Sequence, residues 1–270
     1  MRVSVIIPTY NRAAWVVEAV TSVLAQTYQD FELVVVDDGS TDTTPAALAR
    51  FDGRIKVLRR ETRRGVSAAR NLGAAAAAGE WLAFLDSDDL WLPEKLARQV
   101  EYLRHHPDLL ICQTGETWIR NGVRVNPPLA CRKAAGDLFL PSLRRCLVSP
   151  SAVMLTRRLF HDLGGFDETL PAAEDYDLWL RITWRHKVGL EPEPLVIKRG
   201  GHADQLSRQW GLDRWRILAL QKLLREPELP PPYRLAAESV LAEKCRIYAA
   251  GCEKRGKMEE AFLYRNFSLK

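Results

Sequence analysis

The stretch W-L-A-F-L-D-S-D-D-L-W, residues 81–91, decides how the chain is read. Trp81 to Leu85 is an apolar run of strand length, and it ends in three carboxylates within four positions, Asp86, Asp88 and Asp89. Left alone, such charges repel and raise one another's pKa. A hard divalent cation takes carboxylate oxygens, so an acidic strand end is a natural clamp for a metal–diphosphate. The plainer alternative is a helix N-cap, with Asp88 or Asp89 capping a helix that begins near Pro93.

The flanking sequence repeats one rhythm. V-S-V-I-I-P (3–8) reads as a buried strand and residues 13–26 as a helix with apolar positions three and four apart. F-E-L-V-V-V-D-D (31–38) is a second strand. Residues 43–51 suit a short helix with Thr43 or Thr44 as N-cap and Pro45 in its first turn. I-K-V-L-R-R (55–60) is a third strand, 66–79 a helix stopped by Gly79, and 81–86 the fourth strand. This alternation predicts an α/β fold with a largely parallel central sheet flanked by helices. Ligands of such sheets bind beyond the carboxyl ends of the strands. Three of those ends are notable: Pro8-Thr9-Tyr10-Asn11, Asp37-Asp38-Gly39-Ser40 and Asp86-Ser87-Asp88-Asp89.

Farther along, Pro107, Pro127, Pro128, Gly136, Pro141, Pro150 and Gly164-Gly165 punctuate a region of short strands and loops. Residues 173–186 read as a helix opening with acids, which suits its N-terminal dipole. Two more helices, about 209–225 and 233–254, are split by Glu226-Pro227 to Pro232.

Composition narrows the function. With 270 residues, 47% hydrophobic and 27% charged, the chain is ordinary for a globular protein of one large domain or one domain with an appendage. Five cysteines without a C-x-x-C pair argue against a zinc ribbon or a disulfide framework. The opening Arg2-Val3-Ser4-Val5-Ile6-Ile7 is cut off by Pro8, too short for a signal peptide or a membrane span, which predicts a cytoplasmic protein. Residues 206–270 hold 13 basic and 8 acidic residues, whereas the first 205 hold 26 of each. The excess is either a solvated helical face or a region that meets an anionic surface, such as the inner face of a membrane. No nucleic-acid-binding motif accompanies it. A P-loop and a G-x-G-x-x-G fingerprint are both missing, against a P-loop nucleotidase or a dinucleotide oxidoreductase.

The motifs V-S-V-I-I-P-T-Y-N-R, V-V-V-D-D-G-S-T-D, A-R-N-L-G, F-L-D-S-D-D and E-D-Y-D-L-W-L-R, in this order over roughly residues 3–208, resemble those of the family 2 glycosyltransferases, which have the GT-A fold. The resemblance implies a GT-A domain over 1–205, with a nucleotide-binding half (1–104) and an acceptor-binding half (105–205), before the helical region 206–270. It implies that Pro8, Thr9, Tyr10 and Asn11 hold the base and ribose, and that Asp38 accepts the N3–H of a uracil. Arg70 would lie beside the nucleotide, facing the base or pairing with the acidic edge. Asp86-Ser87-Asp88 matches the family's D-x-D motif, with Asp86 on the ribose and Asp88 on Mn²⁺ or Mg²⁺. His202 would complete the metal site. Asp89 remains a helix cap. Asp175 would be the general base, with Asp177 a competing candidate, and Glu174 would bind the acceptor. Processive members carry Q-x-x-R-W and membrane spans; Gln205 to Trp210 has one residue too many, which favours a single-sugar transferase.

The expected activity is metal-dependent, inverting transfer from a nucleotide-diphospho-sugar, UDP- or dTDP-linked, to a glycan or lipid-linked saccharide of a cell-surface polymer. The rivals are a sugar-nucleotide-forming nucleotidyltransferase and a non-catalytic glycan-binding module.

Overall fold

The computed structural model describes residues 1–202 and 210–267. Its first hundred residues build a parallel half-sheet from β1 (Val3–Thr9), β2 (Phe31–Asp37), β3 (Lys56–Arg59) and β4 (Trp81–Phe84), linked through helices α1 (Ala13–Leu24), α2 (Thr44–Ala49) and α3 (Val66–Ala75). β1 is buried along its whole length, which accounts for an apolar run without alternation. α3 can lie against β1 because its contact face is made of small residues. A Cβ on Gly73 would come within 2.5 Å of Ile6 Cγ2.

The helix expected over 66–79 ends at Ala75, before the predicted stop. Gly79 serves packing instead: a Cβ there would lie 2.7 Å from both the backbone nitrogen and Oγ of Ser4. The short helix α2 does follow Thr43, but no side-chain cap bond forms there.

The second half of the sheet mixes directions. Its strands are β5 (Leu90–Trp91), β6 (Ile111–Arg120), β7 (Val123–Val125), β8 (Val153–Thr156) and β9 (Gly189–Gly200). The order across the sheet is β3-β2-β1-β4-β8-β6-β9-β5, with β7 paired to β6. β8 runs antiparallel to both β4 and β6, β9 parallel to β6, and β5 antiparallel to β9. Between Thr114↔Glu191 and Glu116↔Val196 the pairing slips, so β9 bulges past Gly115. A Cβ at Gly115 would meet the Pro192 carbonyl oxygen at 2.6 Å.

Three cores result. α1 and α4 (Lys95–His105) cover one face of the sheet through Val16, Val20, Leu96 and Val100. α3, α6 (Arg157–Asp162) and α7 (Glu174–Thr183) cover the other through Ala74, Phe160, Leu178 and Trp179. The third lies beneath α8 (Leu212–Leu224), α9 (Pro231–Glu253) and α10 (Met258–Arg265), where Ile217, Leu220, Val240 and Leu241 pack on Tyr176 and Leu180 of α7 and on Phe139 of the short α5 (Phe139–Ser142). Each such fully buried aliphatic or aromatic side chain contributes roughly 1.5–3 kcal/mol. The C-terminal helices therefore share a core with α7. Among the described residues no helix is long and apolar enough to cross a membrane.

Candidate active site

The carboxyl ends of β1, β2 and β4 open into a cleft of about 1100 Å³. Pro8, Thr9, Tyr10, Asn11, Asp38, Arg70, Asp86, Ser87, Asp88, Glu174 and Asp175 all line it. A hollow of about 550 Å³ beside Leu110 and Arg158 holds none of them. His202, the last described residue before 210, reaches the same place through Asp88. Of the Gln205–Trp210 spacing, only Trp210 lies within the described residues.

At the acidic edge, the carboxylates of Asp86, Asp88 and Asp89 come within 4.8 Å of one another. Their partners set them apart. Asp86 pairs with Arg70 at 2.6 Å. Asp88 Oδ2 meets both Arg12 Nη1 and His202 Nε2 at 2.8 Å. Asp89 is not a helix cap, because α4 starts at Lys95 with Glu94 before it and has no side-chain cap bond. It is a buried anchor: its carboxylate accepts from Ser151 Oγ at 2.7 Å and from the Arg199 backbone N–H at 2.8 Å. Burial, reinforced by Asp88 and Asp86, holds its pKa well above the usual carboxylate range. Arg199 also donates from Nε to the Asp88 carbonyl, so the end of β9 closes the acidic loop.

These residues suit a hard cation. Asp88 Oδ2 and His202 Nε2 lie 2.8 Å apart with Asp86 beside Asp88, and carboxylate oxygens with an imidazole nitrogen suit Mn²⁺ or Mg²⁺. Asp89, spent on Ser151 and Arg199, is the member of the cluster least suited to ligation.

Arg70 takes the second of the two roles left open for it. It is 3% exposed and bridges Asp86 and Glu174, at 2.6 and 2.7 Å. Both carboxylates hold its guanidinium protonated against the cost of burial. Glu174, expected at the acceptor, spends Oε1 on this bridge and is nearly buried; burial pushes its pKa up even beside Arg70.

At the ends of β1 and β2 the loops brace one another. The Asn11 side chain accepts from the Thr41 N–H at 2.8 Å, and its backbone sits in the left-handed region at φ 51°. Asp37 accepts from Ser40 N at 2.9 Å, closing the turn after β2. Asp38 accepts from Gly65 N at 2.7 Å and Arg64 N at 3.1 Å. Gly39, at φ 80°, lets the loop around Thr62 and Arg63 pass close by, since a Cβ there would be 2.9 Å from Arg63 N. The Arg63 guanidinium stands 4.4 Å above the Tyr10 ring.

At the other end, α7 starts after Ala173, a left-handed residue at φ 61°. Such a conformation costs a non-glycine residue roughly 1–3 kcal/mol and clusters at functional sites. Asp175 follows, its Oδ1 accepting from Tyr176 N and its Oδ2 from the Cys146 thiol at 3.4 Å. Burial, and then Asp175, push that thiol's pKa well up, so it stays a donor. Asp177 is 1% exposed and pairs with Arg181 at 2.7 Å and Lys222 at 2.8 Å, which ties α7 to α8.

Sequence reasoning missed a buried polar group near Asp175. Glu116 pairs with Lys133 at 3.2 Å, and Ser149 accepts from Lys133 at 2.6 Å and from Lys198 at 3.4 Å. Burial alone would raise the Glu116 pKa; Lys133 and Lys198 bring it down to about 2. Burial would likewise lower the Lys198 pKa, but Glu116, Asp89, Asp86 and Asp175 outweigh it. Arg12 and Ser151 were missed too. The period-2 spacing of Glu116, Trp118 and Arg120 was the one available signal, since it places all three on the cleft face of β6.

The model of Glycosyl transferase family 2 matches residues 4–159. An uncharacterized glycosyltransferase of Rickettsia conorii is 35% identical over 190 residues, covering 70% of this chain and 31% of that protein. The UDP-Glc:alpha-D-GlcNAc-diphosphoundecaprenol beta-1,3-glucosyltransferase WfgD of Escherichia coli is 36% identical over 181 residues, 67% of this chain and 69% of that protein. The chain thus spans about a third of the length of some curated relatives and about two thirds of others. Among solved structures, S. aureus TarS 1-349 in complex with UDP-GlcNAc matches with a TM-score of 0.76 at 22% identity, over 97% of this chain and 79% of that one. The mannosyltransferase PcManGT from Pyrobaculum calidifontis, in complex with GDP-Man and Mn²⁺, matches with a TM-score of 0.62 at 25% identity, over 97% and 78%.

Proposed function

The chain belongs to glycosyl transferase family 2, and from that premise we propose that it moves one sugar, with inversion, from a UDP- or dTDP-linked donor to a hydroxyl of a glycan or lipid-linked saccharide. One observation carries the reading. Arg70 links Asp86, in the acidic strand end, to Glu174, the neighbour of Asp175, so two motifs a hundred residues apart form one wall of one cleft.

In this reading Tyr10 and Asp38 receive the base. A carboxylate has about four lone-pair sites, and the three donors Arg60, Arg64 and Gly65 leave Asp38 one for the N3–H of uracil or thymine. Asp86, Asp88 and His202 would hold Mn²⁺ or Mg²⁺, which when bound supplies positive charge opposite a diphosphate leaving group. Asp175 takes the acceptor's proton: it lines the cleft, and among the described residues its Oδ2 accepts only from the Cys146 thiol, a weak donor that leaves lone-pair sites open to a hydroxyl. Lys198, kept charged, offsets the negative charge crowded between Asp175 and the acidic edge. The relative WfgD is named for UDP-Glc and a lipid-diphosphate acceptor, which supports a UDP-linked donor and a lipid-linked acceptor for this chain. Such an acceptor would bring the basic C-terminal helices to the inner face of a membrane.

Calorimetry of UDP with and without Mn²⁺ tests the proposal. Wild type should bind UDP more tightly with Mn²⁺. Asp88→Ala should lose that gain, and His202→Ala part of it. If UDP fails to bind wild type under either condition, the reading is wrong. If Asp88→Ala binds as wild type does, Asp88 leaves the site.

A further inference from the structure

The cleft does not stop at Asp175. It continues between the loop that follows α5 and a wall made by the first turn of α8 and the middle of α9. We infer that this extension is the seat of a diphosphate joined to an apolar chain, carried by the acceptor one sugar away from the hydroxyl that attacks. The inference rests on the transferase reading above and adds the residues that would receive the acceptor's diphosphate and apolar chain.

Charge is the first ground. The acids of the extension are already committed: Glu116 to Lys133, Asp213 to Arg216 and Lys244, and Glu243 to Arg144. Five cations thus face three carboxylates once Arg145 is added. Among the described residues no carboxylate lies within ion-pair distance of Arg145, whose guanidinium has only the Cys131 sulfur at 3.9 Å. Its planar fork suits a phosphate, for which the lining offers no substitute.

Place is the second. Cys146 touches Asp175, and Arg145 is the next residue along the chain. A sugar that presents a hydroxyl to Asp175 therefore brings the substituent on its far side toward Arg145.

Shape is the third. Val240, Lys244 and Ile247 share one face of α9 at helical spacing and all line the cleft. Ile247 is 55% exposed, an uncovered aliphatic at the rim beside the cations. An anionic head followed by an apolar tail complements that sequence of surfaces, whereas a neutral polar glycan leaves both the cations and Ile247 unmatched.

Farnesyl diphosphate tests the inference by calorimetry against the full chain, with UDP and Mn²⁺ saturating. Inorganic pyrophosphate and farnesol are the comparison probes. Wild type should bind farnesyl diphosphate more tightly than either. Arg145→Ala should weaken it roughly tenfold or more, the range expected for loss of a charge-assisted hydrogen bond, and Arg145→Lys should recover part. Ile247→Ser should weaken farnesyl diphosphate but leave pyrophosphate unchanged. Arg145 and Ile247 are exposed, and UDP binding by each variant reports that it is folded. Displacement of farnesyl diphosphate by UDP, or equal binding by Arg145→Ala, overturns the inference. If UDP binds and the lipid diphosphate does not, the acceptor class falls while the transferase reading stands.

Discussion

Replacing Arg70 tests the bridge between the two motifs. In Arg70→Ala, Glu174 remains a buried carboxylate without its cation, and Asp86 loses its partner as well. Removing one member of a buried ion pair costs about 3–5 kcal/mol, and that range is expected here. Arg70→Lys keeps the charge, but one ammonium cannot span two carboxylates held 2.6 and 2.7 Å from separate guanidinium nitrogens. The loss of one charge-assisted bond, about 1.5–3 kcal/mol, is its expected cost. The deficit should depend on pH. Burial already raises the Glu174 pKa, and loss of Arg70 raises it further. A raised folded-state pKa contributes stability below the unfolded value and loses it as pH rises through the folded one. Arg70→Ala should therefore be less impaired at pH 5 than at pH 8, and adding Glu174→Gln should recover part of the loss. Urea denaturation at both pH values, with midpoints read at constant m, measures this. Variants within about 0.5 kcal/mol of wild type, the range of an ordinary surface change, would show that the bridge stabilises nothing.

Asp175→Asn should lower sugar transfer by ~10²–10⁴-fold with UDP affinity unchanged; near-normal transfer would move the base elsewhere. Asp177→Asn should instead destabilise the fold, since it strips the buried partner from Arg181 and Lys222, and a thermal melt equal to wild type would refute that. Lys95 is fully buried over the Trp91 ring, at 3.6 Å, and burial lowers its pKa from 10.5 to about 7. Between those values the unfolded chain binds the extra proton, so stability rises with pH by about 2 kcal/mol from pH 7 to 9; urea denaturation of Lys95→Met should lack that slope, and an identical slope would count against the assignment. Gly79→Ala should cost about 1–3 kcal/mol by overpacking, because the added methyl meets the Ser4 backbone; an unchanged melting temperature would contradict this.

Local pattern made the first half legible. β1, β2 and β4 are buried apolar runs, and their polar ends did converge on one cleft. Asp88 and His202, paired by the resemblance, lie 2.8 Å apart. What stayed hidden depends on register and long-range packing. Asp89 read as a cap because Ser151 and Arg199, its partners, lie 62 and 110 residues away. Gly79 read as a helix stop because its contact with Ser4 is tertiary. Lys198 comes beside Glu116 through the pairing of β9 with β6 across a bulge, and Lys133 and Ser149 reach them from the segment between β7 and β8, which no local period encodes. The boundary drawn at residue 205 came from the extent of the family resemblance and the helical pattern that follows it; that pattern gave no sign that α8 and α9 pack in one core with α7.

The acidic loop hangs between two distant strands. It leaves β4 at the centre of the sheet and enters β5, which pairs only with β9 at the far edge. Asp88 and Asp89 are gripped by Arg199, at the end of that same strand. The loop that reads as part of the first hundred residues therefore gains its shape only after residue 199 has been made and docked. Closing so long a span is entropically slow. On a ribosome the parallel half can collapse early, while the acidic loop takes its shape late, with β9. A fragment ending near residue 104 should form much of its sheet and still lack the clamp.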